Sequence, residues 1–299
     1  MVPLKLLTAI ILTYNEEQHL ERCIKSVKDI CDRIIVVDSG SIDSTEAICI
    51  KLGALFFYNK WVNYASQFNF GMHLARSMGA TWCLRIDADE YVADFCPHEI
   101  RKSLGCKAGY NGFYVDRSMY FLRRSVKYGA MFPRKMLRIF NVNKATIESS
   151  WMDEHIIVDG PVRSIDMSII DDNFNSLAWW KNKHIDYAKR EVIDVYKKKL
   201  MNSKLMEANI SFERSVKDRI YLRLPLLIRP FVYFFYRYIL FGGFLDGPIS
   251  RNFHFWQGLW YRIIVDCFIL KVKYEILMGA SLPKALIKVT GKQIDFTKK

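Results

Sequence analysis

Leu7-Thr8-Ala9-Ile10-Ile11-Leu12-Thr13-Tyr14-Asn15-Glu16-Glu17 is an almost unbroken apolar run that stops abruptly at a polar cluster. A short continuous apolar run bounded in this way reads as a strand buried on both faces. The pattern then repeats. Glu16 to Val27 reads as a helix with Leu20, Ile24 and Val27 on one face, and Ile34 to Val37 as a second strand. Ser44 is placed to cap a helix that runs to Lys51, Ala54 to Tyr58 form a third strand, Ser66 to Met78 a helix, and Trp82 to Ile86 a fourth strand. Apolar strands alternating with amphipathic helices predict an α/β fold whose mostly parallel sheet carries helices on both faces.

In such a sheet, ligands bind outside the carboxyl ends of the strands. Three polar clusters fall there: Thr13 to Glu17 after the first strand, Asp38 to Thr45 after the second, and Asp87-Ala88-Asp89 after the fourth. A single Asp after a strand is usually a turn former or helix cap. Three clusters on one rim indicate a ligand site instead. Carboxylates one residue apart can share a hard divalent cation and leave room on it for phosphate oxygens. No Gly-x-Gly-x-x-Gly follows the first strand and no Walker-type loop is present, so neither a dinucleotide cofactor nor P-loop chemistry is expected.

Beyond Gly112 the segments are short: Phe113 to Val115, Met136 to Phe140 and Ile156 to Val158 read as strands between polar turns, and Asn173 to Asn202 as mostly helical. Lys183, Tyr187 and Arg190 share a face of that helix, either solvated over a Trp179/Trp180 core stripe or in contact with phosphate or headgroups. Arg134, Lys135 and Arg138 could meet a diphosphate, although basic residues flanking a strand are common.

The chain has 299 residues and a formal charge of +13. Residues 1–180 hold 21 basic and 21 acidic side chains, whereas residues 181–299 hold 23 and 10. A neutral body joined to a basic region implies an anionic partner. The basic region contains blocks such as Phe231 to Tyr236 and Tyr238 to Phe241. These favour an anionic membrane surface over nucleic acid, whose grooves take aromatics scattered among charges. A basic helical subdomain packed on the body, or on a second copy in a homo-oligomer, is the alternative. No run reaches the ~18 apolar residues of a spanning helix. Arg229 and Arg237, eight residues apart, would form one polar edge facing water or headgroups. Seven cysteines without a Cys-x-x-Cys pair, and no visible signal peptide, predict reduced thiols and a cytoplasmic protein.

The three blocks Ala9-Ile10-Ile11-Leu12-Thr13-Tyr14-Asn15-Glu16-Glu17, Val36-Val37-Asp38-Ser39-Gly40-Ser41-Ile42-Asp43-Ser44-Thr45 and Ile86-Asp87-Ala88-Asp89-Glu90 resemble the family 2 glycosyltransferases of the GT-A fold. The wording is nearest to the bacterial branch that builds lipopolysaccharide core and surface polysaccharide. The resemblance extends more loosely through Gln67 to Gly71, Trp151 to His155 and Trp179 to Ala188. It implies a GT-A domain over residues 1–210 and a helical, membrane-associating or oligomerising region over 211–299. It also implies an inverting, metal-dependent transfer from a nucleotide sugar, most often a UDP-sugar, to a lipid-anchored saccharide at the inner face of a bacterial plasma membrane.

By the same resemblance, Thr13, Tyr14, Asn15, Glu16, Asp38, Gln67 and Asp87 hold the nucleotide. Asp89, with Asp87 beside it and His155 as a further ligand, binds Mg2+ or Mn2+. Asp153 and Glu154 are the candidates for the general base that deprotonates the acceptor; Asp153 is the first choice, and the order Asp-Glu-His leaves the assignment open. The nearest rivals are a nucleotidyltransferase of related fold and a catalytically silent membrane scaffold. The first lacks its glycine-rich phosphate loop here, and the intact carboxylates speak against the second.

Overall fold

The computed structural model describes residues 6–105, 109–131, 134–147, 156–202, 221 and 223–292. The predicted residues Asp153, Glu154 and His155 lie outside them. The chain forms two compact units, one of residues 1–127 and 131–174, the other of 128–130 and 175–299.

The first unit is built on one large mixed sheet. Strands β1 (Leu7–Thr13), β2 (Arg33–Asp38), β3 (Leu55–Tyr58) and β4 (Trp82–Asp87) form its parallel half in the order β3-β2-β1-β4. Helix α1 (Leu20–Val27) and helix α2 (Thr45–Lys51) follow β1 and β2, and helix α3 (Tyr64–Ser77) follows β3. Alternation along β1 shows why both faces must be covered. Ala9 and Ile11 pack with Leu20, Cys23, Ile24 and Val27 of α1, while Ile10 packs on the other face with Phe68, Met72 and Ala75 of α3. All of these side chains are buried. Gly71 lets α3 lie close to the sheet, since a Cβ there would come within 2.7 Å of the Ile10 side chain.

The other half of the sheet adds β5 (Glu90–Phe95), β6 (Gly112–Phe121), β7 (Arg124–Val126), β8 (Arg134–Asn141) and β11 (Val162–Asp172). Helix α4 (Pro97–Gly105) follows β5, and a small hairpin of β9 (Ala145–Ile147) and β10 (Ile156–Val158) stands apart. β8 enters beside β4 in the antiparallel sense, and β5 closes the edge on β11. Residue 138 thereby comes beside β4, and residue 171 lies opposite residue 90.

Two helix starts differ from expectation. α1 begins at Leu20 because Glu16 to His19 form a turn in which the Glu16 carbonyl accepts from the N–H groups of His19 and Leu20. Ser44 holds the cap position of α2 without a side-chain bond; Asp43 accepts from Thr45 N instead.

The second unit is helical: α5 (Leu177–Asn202), α6 (Arg229–Phe235), α7 (Pro248–Phe253), α8 (Tyr261–Leu277) and α9 (Leu282–Thr290). α6 runs on into a wide π-turn over residues 236–240, and a second such turn, 254–260, joins α7 to α8. The core forms where Ala188, Val192 and Tyr196 meet Tyr261, Val265, Ile269 and Val272, with Ala285 and Leu286 from α9. Within α5, Lys183 lies over the rings of Trp179 and Tyr187, and Arg190 pairs with Asp186.

The expected polar edge is absent. Arg229 and Arg237 are only 4% and 5% exposed. Arg229 forms a buried ion pair with Asp266, and Arg237 Nε donates to the Gly129 carbonyl at 2.8 Å. A helical wheel places two arginines on one side of a helix but does not say whether that side faces water.

Candidate active site

Register brings the predicted rim together. Thr13 stands opposite Asp38 across β1 and β2, and Leu12 opposite Asp87 across β1 and β4. The ends of β1, β2 and β4 therefore form one row.

The two loops leaving β1 and β2 are bonded to each other in both directions. Asn15 N donates to Ser41 Oγ at 2.7 Å, and the Asn15 side-chain oxygen accepts from Ile42 N at 2.9 Å. Glu16 N donates to Thr45 Oγ1, and Glu17 N to Asp43 Oδ2. Ser44 N returns a bond to the Glu17 carboxylate. Asn15 has φ of 56°, a left-handed conformation that asparagine tolerates better than most residues. Asp43 illustrates the electrostatics. Burial disfavours its charge, but the Thr45 hydroxyl and backbone N–H groups donating to it hold the carboxyl below its ordinary range.

Asp38 is the centre of this joint. Its Oδ1 accepts from the hydroxyls of Thr13 and Ser41, and its Oδ2 from the N–H groups of Gly40 and Ser41. Four donors saturate the carboxylate, which is 2% exposed. Gly40 makes the turn possible with φ of 104°. Gln67, also buried, is equally committed: its amide nitrogen donates to Ser39 Oγ and the Asn59 carbonyl, and its oxygen accepts from the Asn59 side chain. The exposed part of the rim is Tyr14, Asn15 and Ile42, and the rest of the Ser39 to Asp43 loop is half-buried.

At the end of β4 a dense set of opposite charges takes over. Glu90, fully buried, accepts from Arg117 Nε at 2.7 Å and from Arg138 Nη2 at 2.6 Å. It also accepts from the Asp87 N–H. Arg117 pairs in addition with Asp171. Asp87 takes the Tyr64 hydroxyl on one oxygen, and its other oxygen lies 3.7 Å from Arg138. Burial would raise the Asp87 carboxyl. The charges of Arg138 and Arg85, the Tyr64 hydroxyl and Arg117 outweigh that cost and hold it well below the usual carboxylate range. Asp171 behaves in the opposite way: burial, together with the carboxylates of Asp89, Glu90 and Asp87, pushes it up to about 7 against the pull of Arg117.

Asp89 projects from the β4–β5 turn and is half-buried. Its carbonyl is clamped by Arg22 Nη2 at 2.9 Å and by Asp172 N, and its Oδ2 accepts from Asn173 Nδ2 at 3.0 Å. Arg22 also holds the Asp172 carbonyl and lies between the rings of Tyr91 and Phe174. Phe174 N donates to His19 Nε2, so the proton of His19 sits on Nδ1 and is donated to Glu16 at 2.7 Å. Residues 172–174 thus touch both the metal-candidate turn and the β1 loop.

Among the described residues no three His, Cys, Asp or Glu side chains converge as a metal cage. One or two carboxylates are nevertheless the donor set by which Mg2+ is held jointly with substrate phosphates. Asp87, Asp89 and Glu90 all act on Asp171, so these carboxylates lie close together. The residues present fit a metal shared with a ligand.

Glu90, Arg117, Asp171, Asn173 and Arg22 were not singled out from sequence. Glu90 carried the best signal, since it continues the Asp-x-Asp block at the start of the next strand. Arg117 and Asp171 are brought in by strand pairing alone.

Residues 8–137 match the family described as glycosyl transferase family 2. An uncharacterised glycosyltransferase of Rickettsia conorii is 28% identical over 258 residues, covering 81% of this chain and 85% of the relative. A lipopolysaccharide core biosynthesis glycosyltransferase of Rhizobium meliloti is 31% identical over 168 residues, covering 54% of this chain and 61% of the relative. Among solved structures, glucosyl-3-phosphoglycerate synthase from Mycobacterium tuberculosis, in complex with Mn2+, UDP and glucosyl-3-phosphoglycerate, aligns over 59% of this chain and 75% of its own. That alignment has a TM-score of 0.40 and 14% identity. Another solved structure, a mycobacterial protein, is matched over 43% of its length with a TM-score of 0.33. Residues 8–137, which contain the bonded β1 and β2 loops and the Asp87-Ala88-Asp89 turn, are the part of the chain that matches glycosyl transferase family 2.

Proposed function

We propose that this enzyme transfers a sugar, with inversion at the anomeric carbon, from a UDP-sugar to a hydroxyl of a lipid-anchored saccharide in bacterial surface-glycan synthesis. The reading is supported above all by the mutually bonded β1 and β2 loops standing in one row with Asp87 and Asp89. The exposed Tyr14 and the backbone of the Ser39 to Asp43 loop receive the base and ribose. Asp38 and Gln67 act through the loop they shape, because their own polar atoms are already engaged. Asp87, kept ionised by its arginines, stands at the ribose and diphosphate end.

Mg2+ or Mn2+ held by Asp89, with Asp87 beside it, would stabilise the charge developing on the departing diphosphate. His155 is assigned as a further ligand by family resemblance. The acceptor hydroxyl attacks the anomeric carbon as the bond to the UDP oxygen breaks. Its proton passes to a carboxylate, Asp153 or Glu154, and UDP leaves. The enzyme works on the cytoplasmic face of the plasma membrane, with the basic helical region serving the membrane contact and the first unit the chemistry.

Incubation with a panel of UDP-sugars and a membrane extract, with UDP release as readout, tests this reading. Transfer should require Mg2+ or Mn2+ and fall about 10³-fold in Asp89→Asn. Release of pyrophosphate in place of UDP would identify a nucleotidyltransferase, and undiminished transfer in EDTA would overturn the metal assignment. Asp153→Asn and Glu154→Gln identify the base as the variant that binds UDP but no longer transfers.

A further inference from the structure

Residues 227–249 of the second unit reverse the usual arrangement of a water-soluble surface. The segment contains three charged residues, Arg229, Arg237 and Asp246, all turned inward and no more than 6% exposed. Each is paired in the interior. Arg229 meets Asp266, whose other oxygen accepts from Leu227 N at 2.8 Å; Arg237 donates to the Gly129 carbonyl; Asp246 accepts from His254 Nε2 at 2.8 Å and from Tyr128 N. The outward side chains are Phe231, Phe235, Ile239, Leu240, Phe244 and Leu245 among others, with Leu240 66% and Leu245 58% exposed. A segment in water would gain by the opposite choice, since burying an ion costs several kcal/mol even when it is paired.

We infer that this apolar face is a monotopic membrane anchor, inserted into the outer hydrocarbon of a lipid bilayer with anionic headgroups around it. No described helix is long and apolar enough to cross a membrane, so the face lies in the plane of the interface. Exposed cations border it. Arg223 and Arg251 flank the segment in sequence, and Lys273 shares with Leu224, Leu226 and Arg229 the lining of a groove of about 210 Å³. Headgroup phosphates complement that border. A second copy of the chain suits it less well, because a twofold interface sets a patch against itself and would bring like charges together. The inference deepens the proposed lipid-anchored acceptor by naming the surface and its mode of binding: insertion of apolar side chains, with surface charge as a secondary contribution.

The two modes respond differently to salt. Surface adsorption is screened in molar salt, whereas insertion is not. The full chain is floated with phosphatidylcholine vesicles, with and without phosphatidylglycerol, at low and at molar salt. We expect phosphatidylglycerol to strengthen binding at low salt and binding to persist in molar salt. The double variant Leu240→Glu/Leu245→Glu should lose at least about tenfold in partitioning, since each buried methylene contributes about 0.8 kcal/mol. Its thermal unfolding and UDP binding should be unchanged. UDP binding reads the first unit, so its retention separates a failed anchor from a failed glycosyltransferase assignment. Wild-type binding abolished by molar salt, or equal binding by the variant, would overturn insertion. A wild-type dimer that ignores vesicles and becomes a monomer in the double variant would assign the face to a second copy instead.

Discussion

At the strand edge of the first unit, carboxylates and hydroxyls gather in one row, with Asp38 and Glu90 buried and Asp87 and Asp89 half-buried. In residues 227–249 of the second unit, every charged side chain is turned inward and the apolar ones face out. Both regions contain ion pairs, but the pairs do different jobs. Around Glu90 the arginines hold the Asp87 carboxyl ionised at the strand edge, which suits a cation and a diphosphate. Around Asp266 and Asp246 the pairs remove charge from a surface, which prepares that surface for contact with something apolar. The sign and number of charges in a segment therefore say little until their direction is known.

The largest test of this contrast lies in the second unit. Asp266→Ala leaves Arg229 buried without its partner, and loss of one member of a buried pair typically costs about 3–5 kcal/mol. Urea unfolding should show that loss. A change below about 1 kcal/mol would mean that Arg229 reaches water and that the inward-facing reading of this segment is wrong.

A second test uses pH. His184 stacks on Trp180 with ring centroids 3.5 Å apart, its Nδ1 bonds the Trp180 carbonyl, and Tyr187 and Tyr261 meet its edge. Burial first, then the charge of Lys183, lower it to about 4, despite the favourable bonds to the Trp180 carbonyl and Gln257. Between about pH 6.5 and pH 4 the unfolded chain takes up a proton that the folded chain refuses, so stability falls as pH falls through that window. The expected loss is about 3 kcal/mol, complete near pH 4. Unfolding followed across this range should be steeper for wild type than for His184→Gln; parallel curves would show that the imidazole is solvated.

The smallest expected effect sharpens the first unit. Asn173→Ala removes the bond to Asp89 Oδ2 but no candidate ligand. Loss of such an outer partner typically weakens metal affinity by about 10–100-fold. The apparent Mn2+ requirement of transfer should rise by that factor, with kcat at saturating metal nearly unchanged. An equal fall in kcat at all metal concentrations would give Asn173 a different role.

Much of the first unit was readable from sequence because parallel strands buried on both faces leave continuous apolar runs, such as Ala9 to Leu12 and Ile34 to Val37. Their ends bring the polar clusters to one edge. What escaped is the partner set of the Asp87 turn. Arg138 and Asp171 come from strands that enter antiparallel beside β4 and β5, and Arg117 from β6 between them, all by long-range pairing. In Val162 to Asp172 the alternation is too irregular to reveal an 11-residue strand. Arg229 and Arg237 were misread for a related reason. Their partners, Asp266 and the Gly129 carbonyl, are far away in sequence, and only the folded chain shows that the arginine side of the helix points inward.

The central claim is that Asp89 anchors a metal shared with the nucleotide, and calorimetric titration of UDP tests it directly. Wild-type protein should bind UDP in Mn2+ at least tenfold more tightly than in EDTA, and Asp89→Asn should bind equally weakly in both. Equal binding by wild type with and without metal, or metal-enhanced binding retained in Asp89→Asn, would contradict the account.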